Sequence, residues 1–168
     1  MRPNIISLVK RTLSLILFLF IMSFYSCGDA IEKGDQLTQD DLKYIKSLGI
    51  LDEGEEILLF DSQGGLGGKR NSGNFITKKR LATYWIDEHD IQNNVVESAF
   101  YPEIDTVITK DLSKSATYAS YLEIRTKDTR NFRVNVDGEK AELEKFFNLA
   151  NELWRKNRND STLIKQHK

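Results

Sequence analysis

Hydrophobic residues between positions 56 and 136 alternate with polar ones at the two-residue period of β-strands. The clearest run is 131–136, in which Phe132, Val134 and Val136 share one face. Short polar connections separate the runs, which favours antiparallel order. The pattern predicts six or seven strands, at Glu56–Phe60, Phe75–Thr77, Leu81–Ile86, Val95–Phe100, Ile104–Thr109, Tyr118–Thr126 and Asn131–Val136.

A helix is predicted on each side of these strands. Thr38 and Asp41 form a capping box, and Gly49 is typical of a left-handed helix stop, so a short helix is expected between them. The second helix, about Glu139–Asn157, is long and amphipathic. Its apolar stripe consists of Leu143, Phe146, Phe147, Ala150, Leu153 and Trp154.

The first 26 residues have the pattern of a secretory signal. Arg2, Lys10 and Arg11 precede the apolar run Leu13–Phe24. A permanent membrane helix needs about 20 apolar residues, and this run is shorter. Residues 1–26 are therefore predicted to be removed from the mature protein.

Phe24-Tyr25-Ser26-Cys27 resembles the lipobox of bacterial lipoproteins, with the bulky Tyr25 as its departure from the usual pattern. The resemblance implies cleavage before Cys27 and lipidation of that cysteine. The alternatives are a cleaved signal with an unmodified Cys27, or an uncleaved anchor. Gly28, directly after the cysteine, favours the outer membrane if the bacterium has two membranes.

The rest of the chain is interpreted as one domain between two polar segments. Residues 27–36 are short and charged, which is typical of a tether. Residues 37–158 carry all predicted elements, and 159–168 have no apolar period and form a polar tail. A length of 168 residues, 40% of them apolar, suits a single globular domain of this kind.

Charge and cysteine content exclude several functions. The 24 basic and 25 acidic residues leave a net charge of −1, which argues against nucleic-acid binding. One cysteine excludes a disulfide framework and a zinc site built on several thiolates. The aromatic residues expected in the core are Tyr84, Trp85, Phe132, Phe146, Phe147 and Trp154.

Three segments resemble bacterial families with a pleckstrin-homology-like (PH-like) domain: Leu51–Leu58, Gly73–Leu81, and the helix end at Leu153-Trp154. The resemblance covers Leu37 to Lys156. It implies an α+β fold, an antiparallel barrel or two-sheet roll of six to seven strands closed by the C-terminal helix, with the short N-terminal helix as an addition. Such domains serve mostly in binding and assembly, so the fold alone does not decide the function.

Five basic residues are candidates for binding an anionic ligand: Lys69, Arg70, Lys78, Lys79 and Arg80. In eukaryotic PH domains, basic residues in a comparable place hold phosphoinositide headgroups, and arginine suits phosphate geometry. Two other interpretations remain. Charged residues at hairpin bends are usually only solvated, and Arg80 can pair with a nearby carboxylate in a structural role.

No catalytic, cofactor or metal site is expected. The glycine-rich segment 64–70 does not match a phosphate-binding loop. Such a loop would need Gly where Gln63 precedes the segment and Ser or Thr where Arg70 ends it. The acidic stretch around His89 is interpreted as a polar turn. The sequence thus predicts a lipid-anchored, non-enzymatic domain of the bacterial cell envelope that binds another envelope protein. The alternative is a binder of a small anionic or lipid-like ligand in the barrel mouth.

Overall fold

Two antiparallel sheets and two helices make up the part of the chain that the computed structural model describes, residues 31–63, 65–115 and 117–163. The signal segment, Cys27 and the last five tail residues lie outside these ranges. The elements are β1 (Ile31–Lys33), α1 (Gln39–Ser47), β2 (Ile57–Asp61), β3 (Ser72–Thr77), β4 (Arg80–Trp85), β5 (Val95–Phe100), β6 (Ile104–Lys110), β7 (Ser120–Thr126), β8 (Asn131–Val136) and α2 (Lys140–Asn157).

Strands adjacent in sequence are adjacent in each sheet. The first sheet has the order β1-β2-β3-β4-β5 and the second the order β6-β7-β8. This confirms an α+β fold of two antiparallel sheets with a short N-terminal and a long C-terminal helix. Within the described residues the strands form no closed barrel, because each sheet ends at strands that have a partner on one side only.

Helix α1 begins and ends where its capping residues predict. The Thr38 hydroxyl accepts a hydrogen bond from the Asp41 amide at 3.2 Å, and the Asp41 carboxylate accepts one from the Thr38 amide at 3.0 Å. Gly49 has a φ of 76°, the left-handed conformation that glycine adopts without strain. Since these signals are local in sequence, they mark both ends of the helix, whereas packing of Ile45 into the core stabilises it.

The segment predicted to be a tether is partly integrated into the first sheet. Ile31–Lys33 forms β1 and pairs with Leu59–Asp61 of β2. The turn Gly34–Gln36 follows, and a Cβ atom at Gly34 would lie 1.8 Å from the carbonyl oxygen of Ile57. Residues 31–36 therefore belong to the domain, and only three residues, 28–30, separate Cys27 from β1.

The five-stranded sheet has a hydrophobic cluster on each face. On β2, Leu59 belongs to the cluster shared with the second sheet and α2, and the next residue, Phe60, belongs to the cluster under α1. The larger cluster includes Leu143, Phe146 and Ala150 of α2. The predicted apolar stripe of α2 thus covers the core between the sheets.

No helix in the described ranges combines the length and the hydropathy needed to cross a bilayer. The longest, α2, carries charged residues along its exposed face.

Candidate functional site

The five basic candidates fall into two groups at opposite ends of β3. Lys69 and Arg70 precede the strand, and 78–80 follow it. Six strand residues at about 3.3 Å each separate the groups by roughly 20 Å. The structure therefore does not bring the five side chains together around one anion.

Lys69 is held by carboxylates of the N-terminal elements. Its Nζ lies 2.6 Å from Oε2 of Glu32 and 3.8 Å from Oδ2 of Asp41. The guanidinium of Arg70 lies 5.7 Å from the ring centre of Tyr44 on α1. These contacts join β1 and α1 to the segment before β3, so an anion here would have to displace existing partners.

Lys78 and Lys79 form the turn between β3 and β4. The Lys78 side chain is 72% exposed, and its Nζ lies 3.7 Å from Oε2 of Glu56. The Lys79 amide donates to the hydroxyl of Thr77, and the Lys79 carbonyl accepts from the Tyr101 amide at 3.0 Å. The backbone of this turn is therefore fixed, while the Lys78 ammonium is largely in water.

Arg80 is buried, with a side chain only 3% exposed. Its Nη2 donates to Oε2 of Glu55 at 2.8 Å and to the carboxylate of Asp52, and its Nε donates to Oε1 of Glu55 at 3.2 Å. The guanidinium also lies 4.0 Å from the ring centre of Phe100. This geometry supports the structural interpretation of Arg80, which ties the loop before β2 to the β3–β4 hairpin.

A surface that the sequence did not single out lies beside β6. This strand pairs with β7 along one side only, and α2 packs against it. Trp154 donates from Nε1 to the Ile104 carbonyl at 3.3 Å, and Asn151 donates to Oγ1 of Thr109 at 3.2 Å. The resulting β6–α2 groove has a volume of about 770 Å³ and is lined by Val107, Thr109, Asn148, Asn151, Glu152, Arg155 and Lys156.

The β6–α2 groove combines an open strand edge with mostly positive charge. Arg155 and Lys156 face one acidic neighbour, Glu152. An extended peptide can add to such an edge through main-chain hydrogen bonds, with side-chain contacts setting its preference. β6 is an edge strand because of the order of strands in its sheet. No local sequence pattern encodes that order, so this groove could not be predicted from the sequence.

A second groove, of about 590 Å³, lies between the β4–β5 pair and β8. Trp85, Val95 and Phe132 line it with the polar Arg133 and Glu97. The prediction that Trp85 packs in the core was wrong, since its side chain is 48% exposed. Trp85 is the last residue of β4 and pairs with the exposed Val95, so it lies at the margin of the packed face.

Asp61, at the end of β2, is a fully buried carboxyl group. Its side-chain oxygens make no well-formed hydrogen bond among the described residues, although the Asp137 backbone and the Gln63 side chain lie near enough to oppose the rise of its pKa. Burial raises its pKa to about 8, and the charges of Asp137 and Glu142 act in the same direction. The described residues contain no group of three His, Cys, Asp or Glu side chains arranged to hold a metal ion.

Comparisons of the chain with protein-family models, with curated proteins and with solved structures found no match.

Proposed function

We propose that the protein is a membrane-anchored lipoprotein of the bacterial envelope whose PH-like domain binds a protein partner. The order of elements supports the PH-like assignment. Strands β2–β5 form a four-stranded meander, β6–β8 a three-stranded one, and α2 follows and covers the core between them. In this assignment β1 and α1 are N-terminal additions to a two-sheet roll.

The anchor proposal rests on the apolar run Leu13–Phe24 followed by Ser26-Cys27. Lipidation of Cys27 with two or more acyl chains would hold the domain stably at a membrane, the outer one where two are present. The expected mass of the mature protein is that of residues 27–168 plus the acyl groups. Mass spectrometry of the membrane fraction tests this, and Cys27→Ala should move the protein to the soluble fraction. An unmodified Cys27 in membrane-bound protein would contradict the proposal.

The open edge of β6 is the observation that carries the binding proposal. A strand edge without a partner presents unpaired main-chain groups, and proteins usually cover or charge such edges. Here residues of the edge strand β6 and of α2 line an open groove. The partner is proposed to be an extended segment of another envelope protein, with acidic side chains that complement Arg155 and Lys156.

Charge reversal in the β6–α2 groove tests this binding mode. The double variant Arg155→Glu/Lys156→Glu should lose a partner that is chemically crosslinked to the wild-type protein in intact cells. Lys145→Glu is the matched control, because Lys145 is exposed on α2 but does not line the groove. Equal crosslinking of wild type, double variant and control would contradict binding at the groove.

The alternative function, binding of a small anionic or lipid-like ligand, is favoured by the groove beside Trp85. Trp85, Val95 and Phe132 supply its apolar lining, and Arg133, whose guanidinium lies 4.5 Å from the ring centre of Tyr121, supplies a positive charge at its margin. A ligand that copurifies with the wild-type protein and is lost in Trp85→Ala, detected by native mass spectrometry, would favour this alternative. We propose no catalytic role for either groove.

A further inference from the structure

The short link between Cys27 and β1 restricts where the domain can lie. Ile31 is the fourth residue after Cys27, and an extended chain spans at most about 3.6 Å per residue. If Cys27 carries the lipid, as proposed above, Ile31 lies within roughly 14 Å of the anchored cysteine. A domain held this closely cannot turn freely, so one particular end of it must face the bilayer.

The strand register identifies that end. The row of paired residues that starts at Ile31 runs through Asp61 and Asn74. On β4 the row reaches Thr83, two residues before Trp85. Trp85 in turn pairs with Val95 of β5. Because strands are about 4.8 Å apart, β4 lies roughly 14 Å from β1 across the sheet. Ile31, Trp85 and Val95 therefore lie at the same end of the strands of this sheet, which we call the Ile31 end.

The Ile31 end carries a cluster of exposed apolar side chains. Trp85 is 48% exposed, Val95 44% and Ile91 81%. Ile91 lies in the loop from β4 to β5, where the Asp87 carboxylate accepts hydrogen bonds from the amides of His89 and Asp90 at 2.8 and 3.1 Å. This ordered turn holds Ile91 out from the domain. Exposed apolar side chains gathered at one end of a domain are typical of a surface that contacts a membrane or another protein.

We propose that the Ile31 end seats on the lipid bilayer, with Trp85, Ile91 and Val95 in the headgroup region. Tryptophan prefers this interface because its ring is apolar and its N–H is polar. Asp87, Glu88 and Asp90 lie in the same loop, and Arg70 lies at this end just before β3. Acidic groups outnumber it, so a zwitterionic surface is favoured over an anionic one. The inference rests on the proposed lipid anchor.

Fluorescence quenching tests the contact directly, since the chain has two tryptophans, Trp85 and Trp154. The full lipidated protein carrying Trp154→Phe is reconstituted into phosphatidylcholine vesicles with or without bromine on the upper acyl chain. A group inserted about 5–10 Å into the interface meets these bromines. Trp85 emission should shift to the blue in both kinds of vesicle, because the ring leaves water, and should lose intensity only in the brominated ones.

Trp85→Phe is the matched control. It leaves Trp154, which bonds to Ile104 near the β3–β4 turn, at the far end of the sheet from Ile31. The emission of Trp154 should be the same in both kinds of vesicle. If Trp154→Phe impairs folding, the difference between the wild type and Trp85→Phe gives the Trp85 signal instead.

Vesicle flotation separates the possible failures. Flotation with the bromine-dependent loss confined to Trp85 supports the inference. Flotation with no loss of Trp85 emission overturns the seating and leaves the anchor intact. Protein that does not float overturns the anchor and the seating together.

Discussion

At the scale of single residues, two buried ionisable side chains have opposite surroundings. The guanidinium of Arg80 is bound by the carboxylates of Glu55 and Asp52. The carboxyl group of Asp61 is also buried, but it has no basic partner and makes no well-formed hydrogen bond among the described residues. Removing the charge of Arg80 should therefore destabilise the fold. Replacing Asp61 with a neutral side chain should instead stabilise the fold at high pH.

Arg80→Ala is expected to destabilise the domain by about 3–5 kcal/mol, because Glu55 would remain as a buried charge without its partner. Lys78→Ala, which removes an exposed charge in the same hairpin, should cost less than about 1 kcal/mol. Urea unfolding of both variants measures the difference. Similar unfolding midpoints would show that the Arg80 network does not stabilise the fold.

Asp61 should make stability depend on pH. Its pKa is raised in the folded state from 3.8 to about 8, so the folded protein retains the proton that the unfolded chain loses. Stability is greatest below the unfolded pKa, falls as pH rises between the two values, and levels off above about 8. The fall should amount to several kcal/mol in the wild type.

Asp61→Asn removes this titrating group and should flatten the decline, which urea unfolding across that pH range would show. Asp35→Asn is the control, since Asp35 is an exposed residue near β1. A decline of the same size in Asp61→Asn would mean that another group causes it.

At the scale of elements, the N-terminal strand and its turn fix the chain to the first sheet. β1 pairs with β2, and the turn at Gly34 packs against the β2 backbone at Ile57. No side chain fits there without a backbone shift, because a Cβ at Gly34 would overlap the Ile57 carbonyl. The short link to Cys27 depends on this packing.

Gly34→Ala is therefore expected to destabilise the domain by about 1–3 kcal/mol and to release the N-terminal segment. Urea unfolding measures the loss, and limited proteolysis near residue 33 should become faster. Asp35→Ala, an exposed position in the same turn, should behave like the wild type. Unchanged proteolysis of Gly34→Ala would contradict the role assigned to the turn.

Elements with local signals could be predicted from the sequence, and those that depend on distant partners could not. The capping box at Thr38 and the alternation of 131–136 placed α1 and β8 within about two residues. β1 has only three residues, and its partner strand begins more than twenty residues later, so no local pattern marks it. The same reason hid the β6–α2 groove, because an edge is a property of sheet order.

At the scale of the whole molecule, the proposed anchor and the proposed binding groove lie toward different ends. Ile31 and Trp85 mark the end next to the lipid. Arg155 and Lys156 lie near the end of α2, where Asn157 approaches the carbonyl of Lys78 in the β3–β4 turn, at 3.5 Å. A domain seated on its Ile31 end would thus present the groove away from the bilayer, toward other envelope proteins.

Anchoring should also strengthen binding, because a tethered domain meets membrane-bound partners at high effective concentration. Cys27→Ala leaves every groove residue intact. It should nevertheless reduce partner capture in cells by a factor of ten or more, on the order expected for loss of tethering. Equal capture by the wild type and Cys27→Ala would show that the anchor does not contribute to binding.

Site-specific photocrosslinking in intact cells tests the central claim most directly. A photoreactive amino acid at Thr109 would lie within the β6–α2 groove, and one at Lys145 would lie on α2 outside it. The account predicts a discrete adduct with one envelope protein from position 109, little or none from 145, and weakening of the adduct in Cys27→Ala. No adduct at 109, or the same adducts from both positions, would contradict it.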